Sequence, residues 1–288
     1  MQQPFRFMQY PILALLALLP WVGGCAALAG KTSDAKASSK KEAKAEATPE
    51  PSPLETAPWN DAIITALEKL PLGGGYATTL VARDALQSAV AWEDGRPALR
   101  PALAQPSFCS GATYLVWLVA LAQQQKAAQL KLSPEVWRAL IVEGQGDGEG
   151  VWGRWNANGP GTARLFQETG IGTNFTDIQK AKAGDFLKIF WNDSIGAAEK
   201  GHSVIFASTG MENGEETVSF WSSNLPGGYG NKTVARSKIK RMVFSRLEHP
   251  ERLDSVLGLP PRDNFLSNLE EKSVSPAEAA KVIGLPKL

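Results

Sequence analysis

From Leu115 to Leu121 the chain reads Leu-Val-Trp-Leu-Val-Ala-Leu, apolar on nearly every face of a helix. A helix with no polar face must be covered on all sides, so the fold has to be built around this segment. The run turns polar at Gln123 and is preceded by Ser107-Phe108-Cys109-Ser110-Gly111-Ala112-Thr113-Tyr114. Cys109 therefore falls at the start of the helix, where unpaired amides and the helix dipole stabilise an anion. A thiol in that position has its pKa lowered into a range of roughly 3.5–7.5. Ser110 and Gly111 are small, leaving space for a substrate backbone and for the Cys109 amide to act as an oxyanion donor. Position alone fits a buried structural cysteine equally well, because cysteine packs as a small hydrophobe.

The flanking pattern divides the chain into helices followed by strands. Residues 60–70 predict a helix capped by Asn60, with Ile63, Ile64, Leu67 and Leu70 on one face. Residues 78–92 predict a second helix, and the proline-bearing stretch 94–106 a loop. Ser133-Pro134 opens another helix, which ends before the glycines of 144–150. After Gly170 the period becomes that of strands: Asp185–Trp191, His202–Ser208, Thr217–Trp221 and Ile239–Leu247. Asn213-Gly214 marks a hairpin, and a glycine-rich loop follows Asn224. Ser275-Pro276 opens a short C-terminal helix that Gly284 closes, expected to be peripheral. Helices followed by strands imply an α+β fold with an antiparallel sheet, the buried helix packed on it.

The N-terminal part predicts export. An apolar run from Ile12 to Trp21 is too short to span a bilayer and suits a signal segment. It ends in Val22-Gly23-Gly24-Cys25, which resembles the bacterial lipobox. Residues 1–24 are read as a lipoprotein signal peptide, with Cys25 lipidated and holding the chain to a membrane. Residues 25–58, rich in Lys, Ala, Ser, Glu and Pro, bury too little surface to offset ordering entropy and are read as a disordered tether. Residues 59–250 make the folded domain, and 251–288 a C-terminal extension. The net charge of +1 gives no nucleic-acid partner. The chain has two cysteines; with Cys25 lipidated, Cys109 has no disulfide partner and is flagged for reactivity.

The chain has two histidines. His249, in Glu248-His249-Pro250, reads as a surface residue. His202 opens the sheet-forming run Ser203-Val204-Ile205-Phe206. An imidazole on a strand facing a helix start is the arrangement that a thiolate–imidazolium pair requires. Two histidines so far apart provide no metal-ligand cluster, and no cofactor is expected.

Phe108-Cys109-Ser110-Gly111 resembles the Asp-Cys-Ser-Gly nucleophile motif of NlpC-type cell-wall peptidases. Gly184-Asp185 with its apolar strand resembles their Pro-Gly-Asp strand. Gly201-His202-Ser203-Val204-Ile205-Phe206 resembles their histidine strand, and that of CHAP amidases. The resemblance covers Ser107 to Asn224, with 130–182 as an unmatched insertion. It implies a papain-like fold, Cys109 as nucleophile, His202 as base, and an amide substrate in peptidoglycan. A third polar residue orients the imidazole in such enzymes; the resemblance points to Asn224, with Ser222 second. Phe108 departs from the usual Asp. The tyrosine expected a dozen or so residues before the nucleophile is missing, Tyr76 lying much further back. Asp185 reads as a turn residue. Trp152 and Trp155, among Gly and Asn, suit a substrate-binding rim or plug a small core. Leu225–Gly230, with Tyr229, suits the other lip. Two rivals stand beside the hydrolase: a non-catalytic peptidoglycan- or protein-binding module on a degenerate papain-like fold, and an acyl transferase on the same scaffold.

Overall fold

The computed structural model describes residues 57–288. The signal segment, Cys25 and the tether up to residue 56 lie outside the described residues. In chain order the elements are α1 (Pro58–Leu67), β1 (Gly73–Gly74), α2 (Leu80–Ala89), β2 (Val90–Glu93), β3 (Arg96–Leu99), α3 (Cys109–Lys126), α4 (Pro134–Ala139), α5 (Gly150–Asn156) and α6 (Gly161–Thr169). Then come β4 (Gly172–Phe175), β5 (Phe186–Phe190), β6 (Ile195–Gly196), β7 (Gly201–Glu212), β8 (Glu215–Asn224), β9 (Gly228–Ala235) and β10 (Arg241–Leu247). A 3₁₀ stretch (Pro250–Gly258), α7 (Asn264–Asn268), β11 (Ser273–Val274) and α8 (Pro276–Val282) complete the chain.

The main sheet runs β1-β9-β8-β7-β5-β10-β4, and its neighbours pair antiparallel. The class is α+β with a large antiparallel sheet. Both faces of the sheet are apolar. On one face Phe186, Ile205, Trp221 and Leu247 join α1 and α3 in the main core. On the other Leu187, Ile189, Val204, Phe206 and Phe220 form a second cluster. Every residue of α3 from Ser110 to Leu121 is buried, as a helix without a polar face requires. Trp117 stacks on Trp155 at 4.9 Å and 14°. The Tyr114 hydroxyl donates to Leu140 O at 2.7 Å, so burial leaves it hydrogen-bonded.

Several expectations need correction. Asn60 lies inside α1 and caps nothing; its amide donates to Ala183 O and Asp185 Oδ1, both at 2.8 Å. The expected helix 78–92 stops at Ala89, and the expected loop holds the β2–β3 hairpin. Its turn is Asp94-Gly95, both at positive φ (48° and 75°), the conformation of a tight two-residue hairpin. The expected glycine-rich loop after Asn224 is three residues long, because Gly228–Ala235 is strand β9.

The segment 130–182, read as an insertion, is built into the body. Trp137, Leu140, Trp155, Leu165 and Phe166 belong to the main core, and β4 is an edge strand of the main sheet. The C-terminal helix α8 is likewise not peripheral. Ser275 and Glu278 form its reciprocal cap, and Ala279 and Ile283 pack with Phe190 and Val243.

Asp185, expected as a turn residue, has a fully buried side chain. Arg246 grips it at 2.9 and 2.7 Å, while Asn60 and the Lys182 amide complete its shell. It ties α1 to β5 and β10 and leaves no oxygen for chemistry.

Candidate active site

Cys109 is the first residue of α3. Phe108 before it is extended (φ −135°, ψ 164°) and supplies no side-chain cap. The first helical bond runs from the Ala112 amide to Phe108 O at 2.9 Å. The amides of Cys109, Ser110 and Gly111 precede it, so their partial charges collect around the sulfur. Gly111 has a different reason from the one expected. A Cβ there would meet Leu86 and the Phe108 ring at 3.2 Å, so its missing side chain makes room for packing, not for substrate. The Ser110 hydroxyl is committed to Asn156 Oδ1 at 2.6 Å, and Asn156 passes a bond to Asp147 at 2.7 Å.

The half-buried Cys109 lies close enough to the His202 imidazole and the Ser203 backbone amide for both to lower its thiol pKa. The other edge of the imidazole, Nε2, lies 3.1 Å from Asn224 Oδ1. Asn224 is itself fixed: its Nδ2 donates to Gly230 O at 2.8 Å and Ser222 O at 3.1 Å. With both amide protons spoken for, Oδ1 must face the ring, so Nε2 carries the hydrogen and Nδ1 is left bare toward the thiol. The strands dictate this pairing. β7 and β8 match Ile205 to Trp221, and the same register continued toward Gly201 sets His202 opposite Asn224. Phe220 holds the ring edge-on at 5.7 Å.

Burial pushes the Cys109 thiol pKa up. The His202 hydrogen bond and charge, the Ser203 amide and the Lys188 charge outweigh it, bringing the pKa down to about 7. At neutral pH a thiol of that pKa is about half ionised.

The structure also brings Tyr76 to the sulfur. Burial, the Cys109 charge and a hydrogen bond to Cys109 push its hydroxyl pKa up to about 12, so it stays protonated and donates. It arrives through backbone: Tyr76 bridges Ser107 and donates its amide to Pro226 O at 3.1 Å. Chain distance hid it, since no local pattern links it to Cys109.

The other expected site residues lie elsewhere. Ser222 is buried and donates to Ser203 O at 2.7 Å; it braces the histidine strand and leaves the ring to Asn224. Trp152 and Trp155 are core residues, 2 % and 1 % exposed, and only Trp152 reaches the cleft edge. The surrounding glycines mark close backbone approach rather than an open loop: a Cβ on Gly153 would lie 1.8 Å from Gly146 O. Tyr229 is also buried, stacked on Trp221 at 5.5 Å with its hydroxyl donating to Ala104 O. His249 sits at the surface beside Glu251.

Cys109 opens into a cleft of about 660 Å³. Tyr76, Thr79 and Arg83 form one side, Asp147 and Asn156 another, and Lys188 and Ser203 the sheet side. Among the described residues no group of three His, Cys, Asp or Glu side chains converges to hold a metal ion. A thiolate, a ring base with one bare nitrogen, an orienting amide and free helix amides can together attack a carbonyl and carry a proton to its leaving group. The chain matches no family model, no curated protein and no solved structure.

Proposed function

We propose that this chain is a papain-like cysteine hydrolase, exported and lipid-anchored at Cys25, that cleaves an amide bond in cell-wall peptidoglycan. One observation carries the reading. A half-buried cysteine at a helix start meets an imidazole whose far nitrogen is held at 3.1 Å by a fixed asparagine, and the cysteine opens on a cleft. The resemblance to NlpC-type and CHAP enzymes supplies the substrate class.

The steps follow from the arrangement. The Cys109 thiolate adds to the amide carbonyl, and the Cys109 amide holds the resulting oxyanion. Such a donor is worth about 10²–10³ in rate. His202, protonated when the thiolate formed, gives its proton to the leaving amine as the C–N bond breaks, leaving a thioester on Cys109. Water then enters, His202 takes its proton, and the thioester opens to an acid and free thiolate. Asn224 keeps Nε2 as the donor nitrogen so that Nδ1 does this work. Tyr76 steadies the thiolate between turnovers.

The test is release of new amino termini from purified peptidoglycan fragments. Wild-type chain should release them, while Cys109→Ala and His202→Ala, both folded, should not. Equal release by Cys109→Ala would remove the nucleophile assignment.

A further inference from the structure

Lys188 is out of place in its strand. Its helix-facing neighbours on β5, Phe186 and Phe190, are buried, yet the position between them is a lysine whose side chain is only 14 % exposed. A buried ammonium is costly unless paired, and here the pairing is elaborate. Glu199, 2 % exposed, meets Lys188 Nζ at 2.6 Å. The other Glu199 oxygen accepts the amides of Gly159 at 2.6 Å and Gly196 at 3.1 Å. Gly201 completes the seat: a Cβ there would lie 2.3 Å from Glu199 Oε1 and 2.8 Å from Lys188 Nζ. A side chain before His202 would have to displace the tips of this ion pair.

This seat fixes the carboxylate more fully than it neutralises the ammonium. Glu199 shares its charge with two backbone dipoles. Lys188 has three donors; among the described residues Glu199 is its one ion-pair partner, and the Phe190 ring lies 5.6 Å from its Nζ. Its positive field reaches the Cys109 sulfur. Lys188 stands opposite Ser203 in the β5–β7 register, and both line the cleft onto which Cys109 opens. A group bound by Nζ therefore shares the cleft with the carbonyl that Cys109 attacks. The other charged residues of the cleft are Arg83, Asp147 and Glu270, and Asp147 is turned toward Asn156.

We propose that Lys188, held by Glu199, recognises a carboxylate carried beside the amide that Cys109 attacks. The inference rests on the reading of Cys109 as a peptidoglycan-directed nucleophile and names the group its substrate must carry.

The test uses the full chain carrying Cys109→Ala, which binds without turnover. Two muramyl tetrapeptides that differ only in D-glutamate or D-isoglutamine at the second position are titrated by calorimetry. The carboxylate form should bind about tenfold more tightly, as expected for one charge-assisted hydrogen bond. Adding Lys188→Gln together with Glu199→Gln, which leaves no lone buried charge, should erase the difference, and Lys188→Arg should keep it. Equal binding of both peptides, or discrimination that survives the double substitution, overturns the role of Lys188 and leaves the hydrolase reading standing. Binding of neither peptide, while wild-type Cys109 still alkylates rapidly near pH 6, overturns the peptidoglycan reading and this inference with it.

Discussion

Removing the imidazole should return Cys109 to the behaviour of a buried thiol. The pKa is about 7 instead of the ordinary 9.0 because His202, through hydrogen bond and charge, outweighs burial. In His202→Ala burial acts against fewer opponents, so the midpoint should rise to 9 or above. At pH 6 a thiol of pKa 7 is roughly one-tenth ionised and one of pKa 9 about one-thousandth. The more basic thiolate is intrinsically more reactive, by about six- to tenfold for a Brønsted coefficient near 0.4–0.5. The net loss of alkylation rate at pH 6 is then about tenfold, while above about pH 9.5 the variant should match or exceed wild type. The assay is iodoacetamide labelling from pH 5 to 10, followed by mass spectrometry of the Cys109 peptide so that Cys25 does not contribute. A variant whose midpoint stays near 7 would show that the helix end and neighbouring charges set the ionisation without His202. The thiolate–imidazolium pair would then be discarded.

Further outcomes follow from the same contacts. Asn224→Ala should lose the Nε2–H tautomer of His202, read from the ring ¹⁵N shifts; an unchanged tautomer would mean that Asn224 does not orient the ring. Tyr76→Phe removes a donor to the thiolate and should move the alkylation midpoint upward; a downward shift would contradict the contact. Gly201→Ala forces a methyl against the Lys188–Glu199 pair and should cost about 1–3 kcal/mol in urea unfolding; a change within about 0.5 kcal/mol would refute that packing. Asp185→Ala removes the buried carboxylate that Arg246 grips at two points and should cost about 3–5 kcal/mol, and a loss below about 1 kcal/mol would mean the pair is far more solvated than its burial indicates.

The parts of this protein that sequence revealed are those encoded locally. An all-apolar run can only be a buried helix, so α3 and the place of Cys109 at its start were legible. Alternating strands and Asn213-Gly214 set the β7–β8 hairpin, but the bulge between Phe206 and Ser208 that shifts its register by one, so that Asn224 rather than Leu225 falls opposite His202, left no local mark in the sequence. What stayed hidden depends on contacts between distant segments. Tyr76 reaches the sulfur because its backbone is strapped between Ser107 and Pro226. The seat of Lys188 is made by Glu199 and Gly201, which no local pattern connects to it. Glycine was the most misleading residue. At 150–161 it left an open rim and a small plugged core equally open, and the structure takes the core: backbone oxygens press against Gly153 and Gly161, and Trp152 and Trp155 are buried. At Gly228 and Gly230 it suggested a loop, where the chain runs as an edge-ward strand. The prolines at 97, 101 and 106 suggested a loop, where Asp94-Gly95 turns the β2–β3 hairpin.

The whole mechanism needs a sulfur anion at the tip of α3 facing an imidazole presented by the sheet. A crystal structure of the chain would measure that most directly. The expected result is a Cys109 Sγ to His202 Nδ1 separation of about 3–4 Å, with Asn224 Oδ1 on the opposite ring nitrogen and the sulfur open to the cleft. Side chains turned away from each other, or a sulfur sealed under Phe108 and Trp152 with no path to solvent, would contradict it.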